Sequence, residues 1–170
     1  MHFSIFSLTL IAFSLGFSPT AICKSTDRNH PIEIRSDRSD SIMENNSDSI
    51  LDGNVTITQG TLEVRSDRAI VRRGNGDIDK ITLVGKPTFM KHVNDNGEPM
   101  TAQAVTIVYS LSSDVILLSG GATILTPRGS INGEPIKYNL KTGRLDSGSS
   151  GNRVSMRIMP MNKVPEEAKP

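Results

Sequence analysis

Leu51-Asp52-Gly53-Asn54-Val55-Thr56-Ile57 decides the fold, because it recurs. It returns as Leu83-Val84-Gly85-Lys86-Pro87-Thr88-Phe89 and again as Leu118-Ser119-Gly120-Gly121-Ala122-Thr123-Ile124, with a degenerate fourth copy starting at Leu145-Asp146-Ser147-Gly148. A second repeat overlaps it: Glu33-Ile34-Arg35-Ser36-Asp37-Arg38 recurs as Glu63-Val64-Arg65-Ser66-Asp67-Arg68. A fixed period of a few tens of residues marks stacked units. Each unit reads as strand, turn, strand, glycine bend, strand. The glycine lets a strand bend or bulge at a corner while its apolar flanks stay inward. No unit can bury a face alone, but stacked units share one core.

Working outward, the texture is that of strands. Apolar and polar residues alternate at Ile32/Ile34, Leu62/Val64, Ala69/Val71, Ile81/Leu83 and Val105/Ile107/Tyr109/Leu111. Period-2 alternation with β-branched residues reads as half-buried strand. Asp52-Gly53-Asn54, Gly74-Asn75-Gly76-Asp77, Asn94-Asp95-Asn96-Gly97 and Lys141-Thr142-Gly143 supply turn chemistry. After residue 30 no stretch sustains a 3.6-residue apolar period. The fold class is all-β, an elongated, folded-over antiparallel sheet.

The ends differ from this domain. Phe3 to Phe17 is an apolar run, shorter than the roughly 20 residues a spanning helix needs. Pro19 and the small-residue pattern Ala21-Ile22-Cys23 follow. This reads as a signal peptide over 1–23, cleaved near Cys23/Lys24. Lipidation of Cys23 would favour a Leu-like residue at position 20 and Gly or Ala at 22, where Thr20 and Ile22 stand. Residues 24–30 read as a mobile leader, 31–159 as the domain, and 160–170, rich in proline and charge, as a disordered tail.

Composition narrows function. The 170 residues carry 19 basic and 18 acidic side chains, a net charge of +1. That balance argues against nucleic acid as a partner. There is no Trp, and four of five Phe lie in the first 17 residues, which disfavours an aromatic stacking platform. The single Cys excludes an intramolecular disulfide framework and a cysteine zinc site. No nucleophile elbow, zinc signature or phosphate loop occurs. His30 and His92 have no second ligand at metal spacing, so both read as structural. Asp37 and Asp67 sit in identical repeat contexts, which suggests equivalent turn roles with side chains bonding nearby backbone amides rather than a carboxylate dyad. The residues nominate no catalytic group, metal or cofactor.

The repeated Ser-Asp strands and Leu-x-Gly-x-x-Thr corners resemble the OstA-like family of periplasmic lipopolysaccharide-transport proteins. The resemblance runs in order through Pro31–Asp37, Gly53–Gly60, Gly85–Phe89 and Tyr109-x-Leu111, and spans about residues 30–146. It implies a β-jellyroll, a V-shaped open sandwich whose groove carries lipid A acyl chains. The partners it implies are lipopolysaccharide, an LptC-like inner-membrane-anchored protein, an LptD-like outer-membrane receptor, and head-to-tail copies of the same chain. The location it implies is the periplasm.

Ile32, Ile34, Ile57, Phe89, Ile107, Tyr109 and Leu111 lie on alternate positions expected to share an inward face. From the residues alone a filled, closed core is the favoured reading; the resemblance reverses it and implies an acyl-chain groove instead, with the Tyr109 hydroxyl toward a wetter rim. Pro31–Ser36 and Arg153–Met159 alternate cleanly and are expected to be open sheet edges, able to add to another sheet. Two other readings remain: a non-ligand-binding secreted β-repeat scaffold or interaction module, and a secreted hydrolase, which lacks any nominated acid–base pair.

Overall fold

The structure, a computed structural model, describes residues 27–41, 46–148 and 152–160. The signal segment with its cleavage site and Cys23, and the tail from 161 onward, lie outside the described residues.

After a short 3-10 turn at Asp27–Asn29 the described residues form twelve strands. They are β1 (Glu33–Arg35), β2 (Arg38–Ser41), β3 (Asp48–Gln59), β4 (Leu62–Gly74), β5 (Asp77–Val93), β6 (Pro99–Ser110), β7 (Val115–Ser119), β8 (Ala122–Thr126), β9 (Gly129–Gly133), β10 (Ile136–Asn139), β11 (Leu145–Ser147) and β12 (Ser155–Ile158). Every pairing is antiparallel.

The pairing pattern resolves into two layers joined at a corner. Register breaks fall at Asp52/Val55, Arg65/Arg68 and Val84/Thr88. At the same level, β6 changes its partner from β8 to β7. One layer contains β1, the second half of β3, the first of β4, the second of β5, the first of β6, then β8, β9 and β12. The other contains β2, the remaining halves of β3 to β6, then β7, β10 and β11. We call them the first and second layers.

The repeats are therefore corners. At the first, Gly53 (φ +80°) lies so close to Asp37 that a Cβ would sit 2.6 Å from its Oδ2. The Asp37 amide donates to the Gly53 carbonyl at 2.9 Å, and Asn54 Nδ2 donates to Asp37 Oδ2 at 2.7 Å. The Asp37 carboxylate thus holds a side-chain amide, whereas the local backbone bond of this repeat belongs to serine. Ser36 and Ser66 Oγ donate to the Arg38 and Arg68 carbonyls at 2.9 and 3.0 Å. The two Ser-Asp-Arg segments do share a turn role, but the hydroxyl performs it, because it can donate to a carbonyl and a carboxylate cannot.

Inward residues of the two layers meet in one core. In the second layer Leu51, Ala69, Leu83, Ile107, Leu118 and Ile136 stand in successive register. In the first layer Ile57, Val64, Met90, Ala102, Ile124 and Ile131 do the same. Ile81, Ile107, Ile116, Leu118, Ile124 and Ile136 are 0% exposed. Full burial of each such aliphatic side chain is worth about 1.5–3 kcal/mol, so these rows hold the layers together.

The corner also overturns one sequence reading. In β5 the buried residues run Ile81, Leu83 and Gly85 before the corner, then Thr88, Met90 and His92 after it. The register break inserts extra residues at Gly85–Pro87, and the inward phase flips. Phe89, expected inward, therefore faces out at 51% exposure. In the other two copies of the repeat the fifth residue, Val55 or Ala122, is buried, whereas in this copy it is Pro87 and Thr88 takes the inward place. Val105 is turned outward by the matching phase change in β6.

Candidate ligand groove and sheet edges

The nominated groove residues separate into three groups. Ile57, Ile107 and Tyr109 are buried in the core, on facing layers. Ile32, Ile34 and Leu111 are half-buried and pack against that core from its margins. Phe89 belongs to neither: with Lys91, Thr101 and Leu125 it lines a separate cleft of ≈210 Å³ on the outer face of the first layer. The interior is filled by side chains along the middle of the sandwich. The apolar inner surface reaches solvent at its C-terminal end.

That end was only half legible. The inner row of the first layer passes from Ile124 to Ile131 and ends at Met156 on β12. Met156 and Ile158 stand two apart on one strand, and therefore on one face. They are 58% and 72% exposed. With Ile124 and Ile131 they line a cleft of ≈250 Å³. The Val154/Met156/Ile158 alternation marked this strand as an edge, but Ile124 and Ile131 were not nominated as a mouth, because nothing in local periodicity shows where one layer outruns the other.

Two tyrosines span the layers on the side away from the corner. Tyr109 Oη, from β6 in the second layer, donates to Gln59 Oε1 at the end of β3 in the first, at 3.0 Å and buried. Gln59 Nε2 in turn donates to the His30 carbonyl at 3.3 Å. The Tyr109 hydroxyl is thus bonded inside the sandwich, not left at a wet rim, since a buried hydroxyl requires a partner. Tyr138 Oη, from β10, shares a 3.3 Å hydrogen bond with His92 Nδ1 of β5, and the two rings meet edge-on with centroids 5.9 Å apart. Burial holds the His92 imidazole below its usual value, against the opposing pull of Asp27 and Asp95, and burial pushes the Tyr138 phenol up. His92 Nε2 lies 3.9 Å from Asp27 Oδ2. The Asp27 carboxylate also accepts from the Thr61 amide at 2.9 Å and from the Thr61 hydroxyl. Half of the leader segment is thereby anchored to the sheet. His30 is exposed. Among the described residues no group of three or more His, Cys, Asp or Glu is placed to hold a metal ion.

The edges match their expectation. Among the described residues β1 pairs only with β3 and β12 only with β9, so each has one side without a strand partner there. The second layer likewise ends on β2 and β11, which the sequence reading did not single out.

An antiparallel sheet folded on itself at glycine corners, apolar within and unclosed at both ends, defines an OstA-like β-jellyroll. The chain belongs to the family described as LptA/(LptD N-terminal domain) LPS transport protein, which matches residues 33–144. It is 31% identical over 157 residues to the lipopolysaccharide export system protein LptA of Escherichia coli (strain K12), covering 91% of this chain and 84% of that one. It is 29% identical over 147 residues to the Haemophilus influenzae protein of the same name, covering 84% and 85%. It is 27% identical to the lipopolysaccharide export system protein LptH of Pseudomonas aeruginosa, covering 94% of each. The crystal structure of LptH from Pseudomonas aeruginosa, titled the LptA-homologous periplasmic component of the lipopolysaccharide transport device, superposes with a TM-score of 0.72. It does so at 22% identity over 79% of this chain and 99% of that chain, which shows the shared fold.

Proposed function

We propose that this chain is an exported, non-enzymatic carrier of lipopolysaccharide in the periplasm. Acyl chains are shielded between its two layers while sugars and phosphates stay in water. The observation that carries this reading is the inner apolar row that runs unbroken from Ile34 to Ile131 and emerges at the exposed Met156. The names of its relatives, all lipopolysaccharide export proteins, support it. Each methylene removed from water is worth about 0.8 kcal/mol, so partial insertion suffices for useful affinity.

Within this reading, residues 1–23 direct export and are removed near Lys24. The inner face of Ile34, Ile57, Ile107 and Tyr109 is the groove wall, and Ile131, Met156 and Ile158 form its mouth. The free edges of β1 and β12 pair with same-fold partners: an LptC-like protein at the inner membrane, an LptD-like receptor at the outer membrane, and further copies of this chain head to tail. Such heterologous contacts extend rather than close. No nucleotide-binding motif occurs in the sequence, so direction comes from elsewhere.

A photo-activatable side chain at Ile131 or Met156 in living cells tests the reading. Lipopolysaccharide should be labelled from these sites and not from Lys91, which faces outward. Absence of labelling at mouth and interior alike, in a correctly exported protein, would leave the closed β-repeat scaffold as the better account.

A further inference from the structure

The outer face of the first layer carries an apolar patch that the core does not use. The phase change at the corner turns Phe89 and Val105 outward, and Leu125 joins them from β8; the three are 51%, 46% and 53% exposed. Phe89 and Leu125 line the outer cleft of ≈210 Å³. Val105 stands two residues from Gln103, the register partner of Phe89, and so lies diagonal to that ring. Single exposed apolar side chains are ordinary, whereas a contiguous group rimmed by polar residues marks an interaction surface.

The charge around this patch is one-sided. An outward row crosses the layer in register from Lys91 on β5 through Thr101, Leu125 and Ser130 to Arg157 on β12, with no charge between its ends. Beside Phe89, toward the corner, Arg65, Lys86 and Asp67 line a second cleft of ≈510 Å³ that shares its ring. Glu33 is paired with Arg35 and Glu63 with Arg65, and at the far margin Glu98 is paired with Arg128. Among the described residues Lys86, Lys91 and Arg157 stand in no ion pair. Three unpaired cations against Asp67 leave the face net positive.

We propose that this face docks on an anionic lipid bilayer, with Phe89, Val105 and Leu125 entering the headgroup region and Lys86, Lys91 and Arg157 meeting its phosphates. The proposal goes beyond the carrier reading, since none of these side chains belongs to the inner rows. Lys91 and Arg157 are four strand spacings apart, about 19 Å. That is too far to grip one small anion, but both reach a charged plane. Exposed aromatic and aliphatic side chains flanked by cations form an interfacial anchor, held by apolar insertion and by attraction to anionic lipid together. Each basic side chain near such a surface strengthens binding about fivefold. Docked in this way, the chain lies with its first layer against the bilayer. The inner rows and the free edges of β1 and β12 stay open to other contacts.

The sequence has no Trp, so Phe89→Trp places a single fluorophore in the patch. Its emission should shift to the blue with vesicles of phosphatidylethanolamine and phosphatidylglycerol, and stay unchanged with phosphatidylcholine alone. In vesicle flotation at low salt, Lys86→Gln combined with Lys91→Gln should weaken binding about 25-fold, two losses of about fivefold each. Added salt should weaken the wild type as well. Lys137→Gln combined with Lys141→Gln, outside this face, should float like wild type. All four lysines are exposed, so both variants should fold. A wild type that does not float, an equal effect of the two lysine pairs, or flotation without a shift in Trp emission overturns the proposal. The last result would place the lipid at the inner rows instead. Attachment to polyglutamate but not to vesicles overturns it in favour of an acidic protein partner. None of these outcomes touches the carrier reading, which the labelling from Ile131 and Met156 tests separately.

Discussion

Replacing Gly129 by alanine should detach the last strand without unfolding the domain. Gly129 has φ +149°, and a Cβ there would overlap the Arg157 carbonyl oxygen across the β9–β12 ladder. That oxygen is backbone, so relief comes only if β12 moves away. The cost is limited by what β12 docking is worth. Four residue pairs, from Ser155↔Asn132 to Ile158↔Gly129, align the strands. A net hydrogen bond contributes about 0.5–1.5 kcal/mol, and ordering one residue costs about 1–2 kcal/mol. The two nearly cancel. Apolar burial adds little, because Val154, Met156 and Ile158 remain 42%, 58% and 72% exposed. Thermal unfolding should therefore shift by less than about 3 °C. Hydrogen exchange read by mass spectrometry should show residues 153–159 exchanging at the rate of unstructured chain, with β3 to β6 unchanged. Concentration-dependent oligomers, followed by light scattering, should weaken at least about tenfold as the C-terminal edge is lost. Retained protection of 153–159 in the alanine variant would refute the steric argument, and retained assembly despite lost protection would refute the edge model.

Phe89→Asp should leave stability within about 1 kcal/mol of wild type, as for other exposed sites, whereas Leu83→Asp, at 1% exposure six residues earlier, should prevent folding; circular dichroism and urea titration separate the two. Glu134 Oε2 accepts from the Gly120 and Gly121 amides at 2.7 and 2.9 Å, tying together the two segments that cross between layers. Glu134→Ala should cost about 1–2 kcal/mol, a drop of roughly 3–8 °C, and Glu134→Gln less; a melting temperature within 1 °C of wild type for the alanine variant would refute this tie. His92 is held neutral by burial, with Asp27 and Asp95 opposing, so the unfolded chain binds the proton more readily. Its contribution to stability is complete above pH 6.5 and is lost as pH falls below it. His92→Gln should flatten the fall in melting temperature between pH 7 and pH 5, and a parallel pH profile in the variant would sink this assignment.

The repeat pattern carried the architecture because each corner is local: a glycine, its flanking apolar residues and a spacing near 33 suffice to place it. The inward face was legible wherever alternation runs without interruption, as at Ile81/Leu83 or Ile107/Tyr109. It failed at Phe89 because the register break at Gly85–Pro87 flips the inward phase, and period-2 counting carries no record of a bulge. The Gln59–Tyr109 and His92–Tyr138 bridges join residues 50 and 46 positions apart. No local pattern relates them; only the way the second layer lies over the first brings them together. The same holds for Glu134, whose partners are a glycine pair in the preceding crossing. The exposed end of the inner row was hidden because exposure at Met156 depends on where the other layer stops.

The corner is built differently at its two ends. β3 to β6 each pass through it as one uninterrupted strand, paired on both sides of the bend. Further along, the chain crosses by short connections instead, at Gly120-Gly121 between β7 and β8 and at Glu134-Pro135 between β9 and β10. Spreading the layers at β3–β6 strains four continuous strands and their ladders together. Spreading them at β7–β10 turns instead on two short connections, which the Glu134 carboxylate ties to each other. The sandwich is thus mechanically graded, a stiff spine at one end and a jointed cover at the other. Its compliance rises toward the end where the apolar surface emerges, so the two ends of the sandwich answer a load differently.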